Sequence, residues 1–267
     1  MGRVVSILFG AKPDWREGLA YRLAGSRFAH AMDPLGTADL GIFDGIVPLT
    51  LDDRRILAER CGRGDAAASL LPSAEAEALC HDKVALNTHL RVHGFGAHVP
   101  AMHENLPTAA QDYPVIIKRR RGEWGVGGRI LLAPPDGPVA FDRATEFIQA
   151  YVPGAMEYAT HILLKGGALL FAATVRHTLR ASPYVMGASE QPVRSDWLEA
   201  TPCLPLFLRM LATAGFRDGI CCIDYRLVAG RPLVFEINPR FGASLGERII
   251  PFLNAYVGAL AGRPAAC

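Results

Sequence analysis

The chain has 267 residues, half of them hydrophobic and a fifth charged, enough for one large domain or two modest ones. Its 28 basic and 26 acidic residues leave a net charge of +2, so bulk electrostatics give no case for a nucleic-acid partner. No apolar run approaches the roughly 18 residues needed to cross a bilayer, so no membrane partner is expected.

The run at 4–9 has strand length and ends too abruptly for a signal peptide. Met1-Gly2 with Ser6 formally fits a myristoylation pattern, but the same residues make a better buried first strand. The six cysteines (61, 80, 203, 221, 222 and 267) form no Cys-x-x-Cys pair. Reduced thiols in a cytoplasmic protein are therefore expected.

Residues 1–81 alternate strand and helix. Asp14 and Glu17 have capping-box spacing for a helix that ends at Gly25. Residues 42–49 and 66–71 read as further strands, separated by a helix over 51–61. That alternation predicts a small parallel sheet with crossover helices. It carries no Gly-x-Gly-x-x-Gly, so a dinucleotide site is not supported.

Residues 82–148 change character. Asp82-Lys83 opens a helix that fades at Gly94, and proline-containing loops follow. Residues 113–118 form a strand ending in Lys118. The glycine-rich stretch 122–128 leads to a returning strand at 129–132. Two strands joined by such a loop and backed by helices describe a small lid.

Residues 149–267 turn strand-rich. A segment at 148–154 leads into a strand at 157–164, a Lys-Gly-Gly turn, and a strand at 168–178. Residues 179–200 are irregular and read as a surface loop near a site. Helices are expected at 204–214 and 244–260. Between them, 223–228 and 231–238 flank Ala229-Gly230 as two antiparallel strands.

That hairpin carries the strongest chemistry. With the turn centred on Gly230, Asp224 and Glu236 face one another, and Asn238 shares their side. Opposed side chains stand roughly 5 Å apart, and two bare carboxylates there repel. A hard cation with oxygen ligands removes the penalty, as Mg²⁺ does when it also takes substrate phosphates. The plainer reading is a polar, solvent-facing side of an edge hairpin; the Asn-Pro-Arg that follows argues against it. Arg240, beyond the strand-breaking Pro239, is placed to hold a phosphate or carboxylate bidentately.

Lys118 alone reads as a solvated strand end. Beside a glycine loop it reads as a phosphate ligand, because glycines let backbone N–H groups approach anions closely. Arg119, Arg120 and Arg121 read as a partly solvated face, one of them facing phosphate or a substrate carboxylate. His89, His93, His98 and His103 show no metal spacing.

In order, the chain shows Asp82-Lys83, Pro114-x-x-x-Lys118, a glycine loop, Gln149-x-Tyr151-Val152-x-Gly154, Glu157, Ile223-Asp224 and Glu236-Ile237-Asn238-Pro239-Arg240. That series resembles the ATP-grasp superfamily, closest in style to carboxylate–amine ligases of the carbamoyl-phosphate-synthase and biotin-carboxylase branch. The resemblance spans about residues 80–245. It implies an α/β and α+β architecture: a small Rossmann-like N-terminal domain (1–81), a lid subdomain (82–148) and an antiparallel-sheet C-terminal subdomain (149–267).

The resemblance also implies roles. Lys83, Lys118 and the loop glycines Gly125, Gly127 and Gly128 would grip ATP phosphates. Gln149, Tyr151 and Val152 would form the adenine hinge. The family often has an acidic residue where this chain has Ala150, which leaves the base to the backbone. Glu157 would accept from ribose hydroxyls. Asp224, Glu236 and Asn238 would hold one or two Mg²⁺, with Mn²⁺ able to substitute. Lys118 and Arg240 are the catalytic candidates, and Arg176, His177 and Arg240 the substrate contacts.

Glu157 and Arg176 would sit opposite one another if Gly166-Gly167 is a two-residue turn. Glu123 and Trp124 are bulkier than the family's loop pattern, so either Trp124 seals the site on closing or the loop is tuned to an unusual substrate.

The expected activity is ATP-dependent amide formation between a small carboxylate and an amino-acid-like amine through an acylphosphate. The rivals are a phosphotransferase, a biotin-branch carboxylase (for which the chain lacks the usual C-terminal extension) and a catalytically silent nucleotide-binding subunit. Only 27 residues follow Arg240, so a homodimer that completes the site belongs to the same expectation.

Overall fold

The apolar run near the N-terminus becomes β1 (Val5–Phe9), with Ile7, Leu8 and Phe9 fully buried, as a strand covered on both faces must be. This is a computed structural model that describes residues 3–65, 67–122, 125–180, 183–186 and 191–261. Helix α1 (Arg16–Leu23) leads to β2 (Phe28–Met32), and β3 (Gly45–Val47) precedes α2 (Leu51–Gly62). Both β2 and β3 pair in parallel with β1, giving the expected small parallel sheet in the order β2-β1-β3.

Two local expectations fail here. Pro13–Trp15 forms a 3₁₀ turn before α1, so Asp14 lies inside that turn and caps nothing. The capping box belongs instead to Thr50 and Asp53 at the start of α2. The strand expected at 66–71 is absent at 67–71, and residue 66 lies outside the described residues. One backbone bond, Ile46 N to Ala68 O at 2.8 Å, ties this segment to β3. The Tyr256 hydroxyl holds the rest, bonding Ser69 Oγ, Leu70 N and Ile46 O.

Helix α3 (Ala74–His81) is capped by Ser73, and α4 (Lys83–Leu90) by Asp82, which accepts from Val84 N and Ala85 N. Helix α4 loosens into a wider turn and ends at Gly94, whose φ of +85° suits glycine. Strands β4 (Met102–His103), β5 (Val115–Arg119), β6 (Arg129–Leu131) and β7 (Glu146–Ala150) form an antiparallel sheet in the order β4-β7-β5-β6. The boundary expected between 148 and 149 falls inside β7.

The third sheet is antiparallel, in the order β10-β9-β8-β11-β12. It comprises β8 (Met156–Lys165), β9 (Ala168–Thr178), β10 (Arg194–Trp197), β11 (Gly219–Val228) and β12 (Arg231–Asn238). Helix α5 (Leu204–Thr213) buries Phe207, Met210 and Leu211 in one cluster with Ile223, Tyr225 and Ile237. Those strand residues point away from Asp224, so α5 seals the back of the sheet and leaves its other face for a site.

The closing helix is split. A 3₁₀ stretch (Ala243–Arg248) precedes α6 (Ile249–Leu260), whose Phe252, Leu253 and Tyr256 pack with Ile7, Phe9 and Phe241. Phe241 is thus anchored beneath the parallel sheet, which fixes the chain directly after Arg240.

Cys80, Cys203, Cys221 and Cys222 are free thiols. Cys61 is disulfide-bonded, against the expectation of reduced thiols throughout; it sits half-buried in the last turn of α2 rather than in the core. Among the described residues, no helix is long and apolar enough to cross a membrane.

Candidate functional site

A cleft of about 340 Å³ opens between the four-stranded sheet and the front of the five-stranded sheet. Its floor follows the period of two. Cys222, Asp224 and Arg226 on β11 line it, as do Glu236 and Asn238 on β12, Glu157 on β8 and His177 on β9. Lys83 on α4, Lys118 on β5 and Gln149 on β7 line it from the opposite side.

The hairpin turns through Ala229 (φ +48°) and Gly230 (φ +78°), the positive pair that a two-residue turn with this twist requires. A bulge between Asp224 and Tyr225 then sets Asp224 against Glu236. Asn238 Nδ2 donates to both carboxylates, at 2.8 Å to Asp224 and 2.9 Å to Glu236. Burial and the neighbouring Glu236 push Asp224 well above the ordinary carboxylate range. Burial alone would raise Glu236 as well, but the Lys83 and Lys118 ammoniums outweigh it and hold Glu236 down to about 2.

Lys83 Nζ lies 3.0 Å from Glu236 and donates to Gly122 O at 2.8 Å, joining α4 to the glycine loop. Lys118 is pushed below the ordinary lysine range by burial, against the pull of Glu236. Its ammonium lies 5.4 Å from the Phe235 ring centre and donates to Gln149 Oε1 at 3.5 Å. Gly125 and Gly128 line the cleft, while Gly127 (φ +78°) backs onto Arg119. Glu123 and Trp124 lie outside the described residues.

Of the three arginines, Arg119 lines the cleft. Arg120 is committed to the Asp82 carboxylate at 2.9 Å, with Arg121 at 3.5 Å from the same group.

The register corrects one expectation. Gly166-Gly167 is the two-residue turn, but a second bulge at Leu163/Leu164 pairs Glu157 with His177 and not with Arg176. Arg176 is therefore on the far face, bonded to Asp196 at 3.1 Å and absent from the cleft lining. His177 lines the cleft, its Nδ1 2.8 Å from Ser195 Oγ, and burial lowers its pKa.

Glu157 is paired instead with Arg226, whose Nε and Nη2 reach Glu157 Oε2 at 3.3 and 3.0 Å. The same guanidinium bonds Tyr151 Oη and Val152 O, and lies 4.3 Å from the Tyr184 ring centre. Sequence reading overlooked Arg226, although it stands two residues after Asp224 and so on the same face.

Arg240 lines the cleft, is 8% exposed, and donates to Phe241 O at 3.3 Å. Gly242 lets its loop lie flat on the sheet: a Cβ there would meet His161 Cε1 at 2.6 Å and Cys222 Cβ at 3.3 Å. Ser244, also at the cleft, bonds His161 Nε2 at 2.9 Å. Burial drives His161 down to about 3, so its ring is neutral.

Among the described residues, no group of three or more His, Cys, Asp or Glu side chains is placed to hold a metal. The hairpin offers two carboxylates and a carboxamide instead. That set fits a hard divalent cation, because its donors are oxygens and the crowding that raises Asp224 is the penalty such an ion relieves.

No family model matches the chain, and no curated protein matches its sequence. Solved structures match its fold. D-alanine–D-alanine ligase from Bacillus anthracis, 13% identical, superposes with a TM-score of 0.59 over 97% of this chain and 99% of that one. That ligase has also been solved complexed with ATP. L-amino acid ligase from Bacillus licheniformis, 16% identical, gives 0.57 over 94% of this chain and 70% of that one. The ATP-grasp ligase PsnB, complexed with minimal precursor and 14% identical, gives 0.55 over 95% and 98%. The chain has the fold of these proteins.

Proposed function

We propose that this ATP-grasp fold houses an ATP-dependent carboxylate–amine ligase. The carrying observation is the hairpin trio: Asp224 and Glu236 opposed, bridged by Asn238, and faced by the Lys83 and Lys118 ammoniums. Paired carboxylates beside paired lysines in one cleft suit a metal-bound polyphosphate.

Asp224, Glu236 and Asn238 would hold one or two Mg²⁺, which would supply charge neutralisation to the terminal phosphates of ATP. Lys83, Lys118, Arg119 and the loop around Gly125 and Gly128 would hold those phosphates from the lid side. Gln149, Tyr151 and Val152 would bound the nucleobase. Glu157, already held by Arg226, would present its remaining oxygen to a ribose hydroxyl.

A substrate carboxylate oxygen attacks the γ-phosphorus, the bond to the β-phosphate oxygen breaks, and ADP leaves an acylphosphate. An amine nitrogen then attacks the acyl carbon, and collapse of the tetrahedral adduct releases phosphate as the nitrogen loses a proton. Arg240 stabilises the acylphosphate and the oxyanion of that adduct. His177 and the Ser244 hydroxyl also line the cleft and suit a small carboxylate. The protein's part is chiefly positioning, charge neutralisation and exclusion of water from the acylphosphate.

The test is phosphate release from ATP in a screen of acids paired with amino acids. Turnover requiring both an acid and an amine supports the ligase. Phosphoryl transfer to one substrate without amide identifies a kinase-like enzyme, and binding without turnover a silent subunit. Retention of turnover in Glu236→Gln overturns the metal assignment.

A further inference from the structure

Behind the cleft runs a chain of buried carboxamides that the proposed reaction does not use; its meaning rests on reading the cleft as a nucleotide site. Asn87 and Gln149 are each 1% exposed. Asn87 Nδ2 donates to Lys83 O at 2.8 Å, Gln149 Nε2 donates to Asn87 Oδ1 at 3.3 Å, and Lys118 Nζ donates to Gln149 Oε1 at 3.5 Å.

Both ends of this chain have fixed polarity. A backbone carbonyl only accepts and an ammonium only donates, so neither amide can be turned over without setting like groups together. Asn87 must direct its NH₂ to Lys83 O, which directs its oxygen to Gln149. Gln149 must then keep its NH₂ toward Asn87 and its oxygen toward Lys118 and the cleft.

The neighbouring hinge backbone is committed in part. Ala150 N donates to Ala101 O at 2.8 Å and Tyr151 N to Pro114 O at 3.0 Å, while Arg226 takes Val152 O. The Gln149 oxygen is thus the oriented side-chain acceptor where the base would lie. A 3.5 Å contact is at the long limit of a hydrogen bond and leaves that oxygen able to take a better donor.

Adenine presents a 6-amino donor beside N7, whereas guanine and hypoxanthine present a 6-keto acceptor there. A fixed oxygen pairs with the first and is left facing a like group by the second. We infer that Asn87 is a positioning residue that locks the Gln149 carboxamide with its oxygen toward the cleft, and so selects 6-amino over 6-keto purine nucleotides. When a 6-amino group binds, it replaces Lys118 as the donor to Gln149, and the ammonium turns to the phosphates.

The test is calorimetric binding of Mg²⁺–ATP and Mg²⁺–inosine triphosphate to the full chain, without acid or amine. Wild type favours ATP by about tenfold or more, the cost of an unmatched buried acceptor. Asn87→Leu and Gln149→Met bring the two affinities within about threefold. Asn87→Asp, whose buried carboxyl as the neutral acid donates to Lys83 O and still offers Gln149 an acceptor, keeps the preference. The ratio is insensitive to any loss of folded protein, because both nucleotides report on the same population.

Equal wild-type affinities, or a preference unchanged in Asn87→Leu and Gln149→Met, overturn the inference and leave the nucleotide site standing. Binding of neither nucleotide by wild type removes the nucleotide reading itself, and the inference with it.

Discussion

Arg226→Met tests how the floor of the cleft is held. Arg226 is 3% exposed and Glu157 7%, so the substitution strands a carboxylate in the interior. Breaking one side of a buried pair typically costs about 3–5 kcal/mol. Burial already raises Glu157 above 4.5 while Arg226 opposes the shift, so without Arg226 its pKa rises further. Below pH 4.5 folded and unfolded chains both hold the proton and the variant carries no ionisation penalty. Above it the folded chain keeps a proton that the unfolded chain releases, and stability falls by about 1.4 kcal/mol per pH unit until the raised pKa is reached.

Thermal unfolding of wild type, Arg226→Met, Glu157→Gln and the double variant across a pH series measures the effect. Arg226→Met should lose roughly 10 °C in Tm near neutrality, less in acid, and the double variant should recover much of the loss. A deficit independent of pH, or strictly additive single effects, refutes the reasoning.

Tyr256→Phe removes a buried hydroxyl with three partners and should cost about 1–3 kcal/mol in unfolding experiments without changing nucleotide affinity. Gly242→Ala forces the loop after Arg240 off His161 and should lower Tm by a few degrees and abolish substrate-dependent phosphate release. His161, held near 3, stays neutral in the fold while an unfolded histidine takes a proton below about 6.5. Its contribution is complete above that pH and erodes toward 3, by roughly 2 kcal/mol at about pH 5. His161→Gln should flatten this acid slope in a pH series of unfolding curves.

The parallel sheet, the two strands flanking the glycine loop and the carboxylate hairpin were legible because each rests on local signals: an apolar run, a glycine loop, a two-residue turn between alternating strands. The segment at 67–71 was not, because Leu70 is buried and Leu71 half-buried as a strand's would be, while Leu70 N bonds a tyrosine hydroxyl from 186 residues away in place of a strand partner. Strand β2 was overlooked because Phe28 and Met32 frame an Ala-His-Ala stretch with little apolar contrast. Asn87 left a readable trace, four residues after Lys83 and so on the same helical face. Nothing local says that the face meets Gln149.

Side-chain pairing across the large sheet turned on two single-residue bulges, and they acted in opposite directions. The turn at 229–230 pairs Val228 with Arg231 and, in plain register, would bring Phe235 opposite Asp224. The extra residue in β12 replaces it with Glu236 and assembles the carboxylate pair. In β8 and β9 the turn at 166–167 would pair Glu157 with Arg176, and the extra residue near Leu163 replaces that arginine with His177. With a side-chain period of two, one inserted residue moves every later side chain of its strand to the other face. Arg176 therefore fell to the back of the sheet with Asp196, and Glu157 took its counter-charge from Arg226 on the neighbouring strand. Which residue types gather at the cleft follows from the motifs. Which of them touch follows from where the sheet takes up its two extra residues.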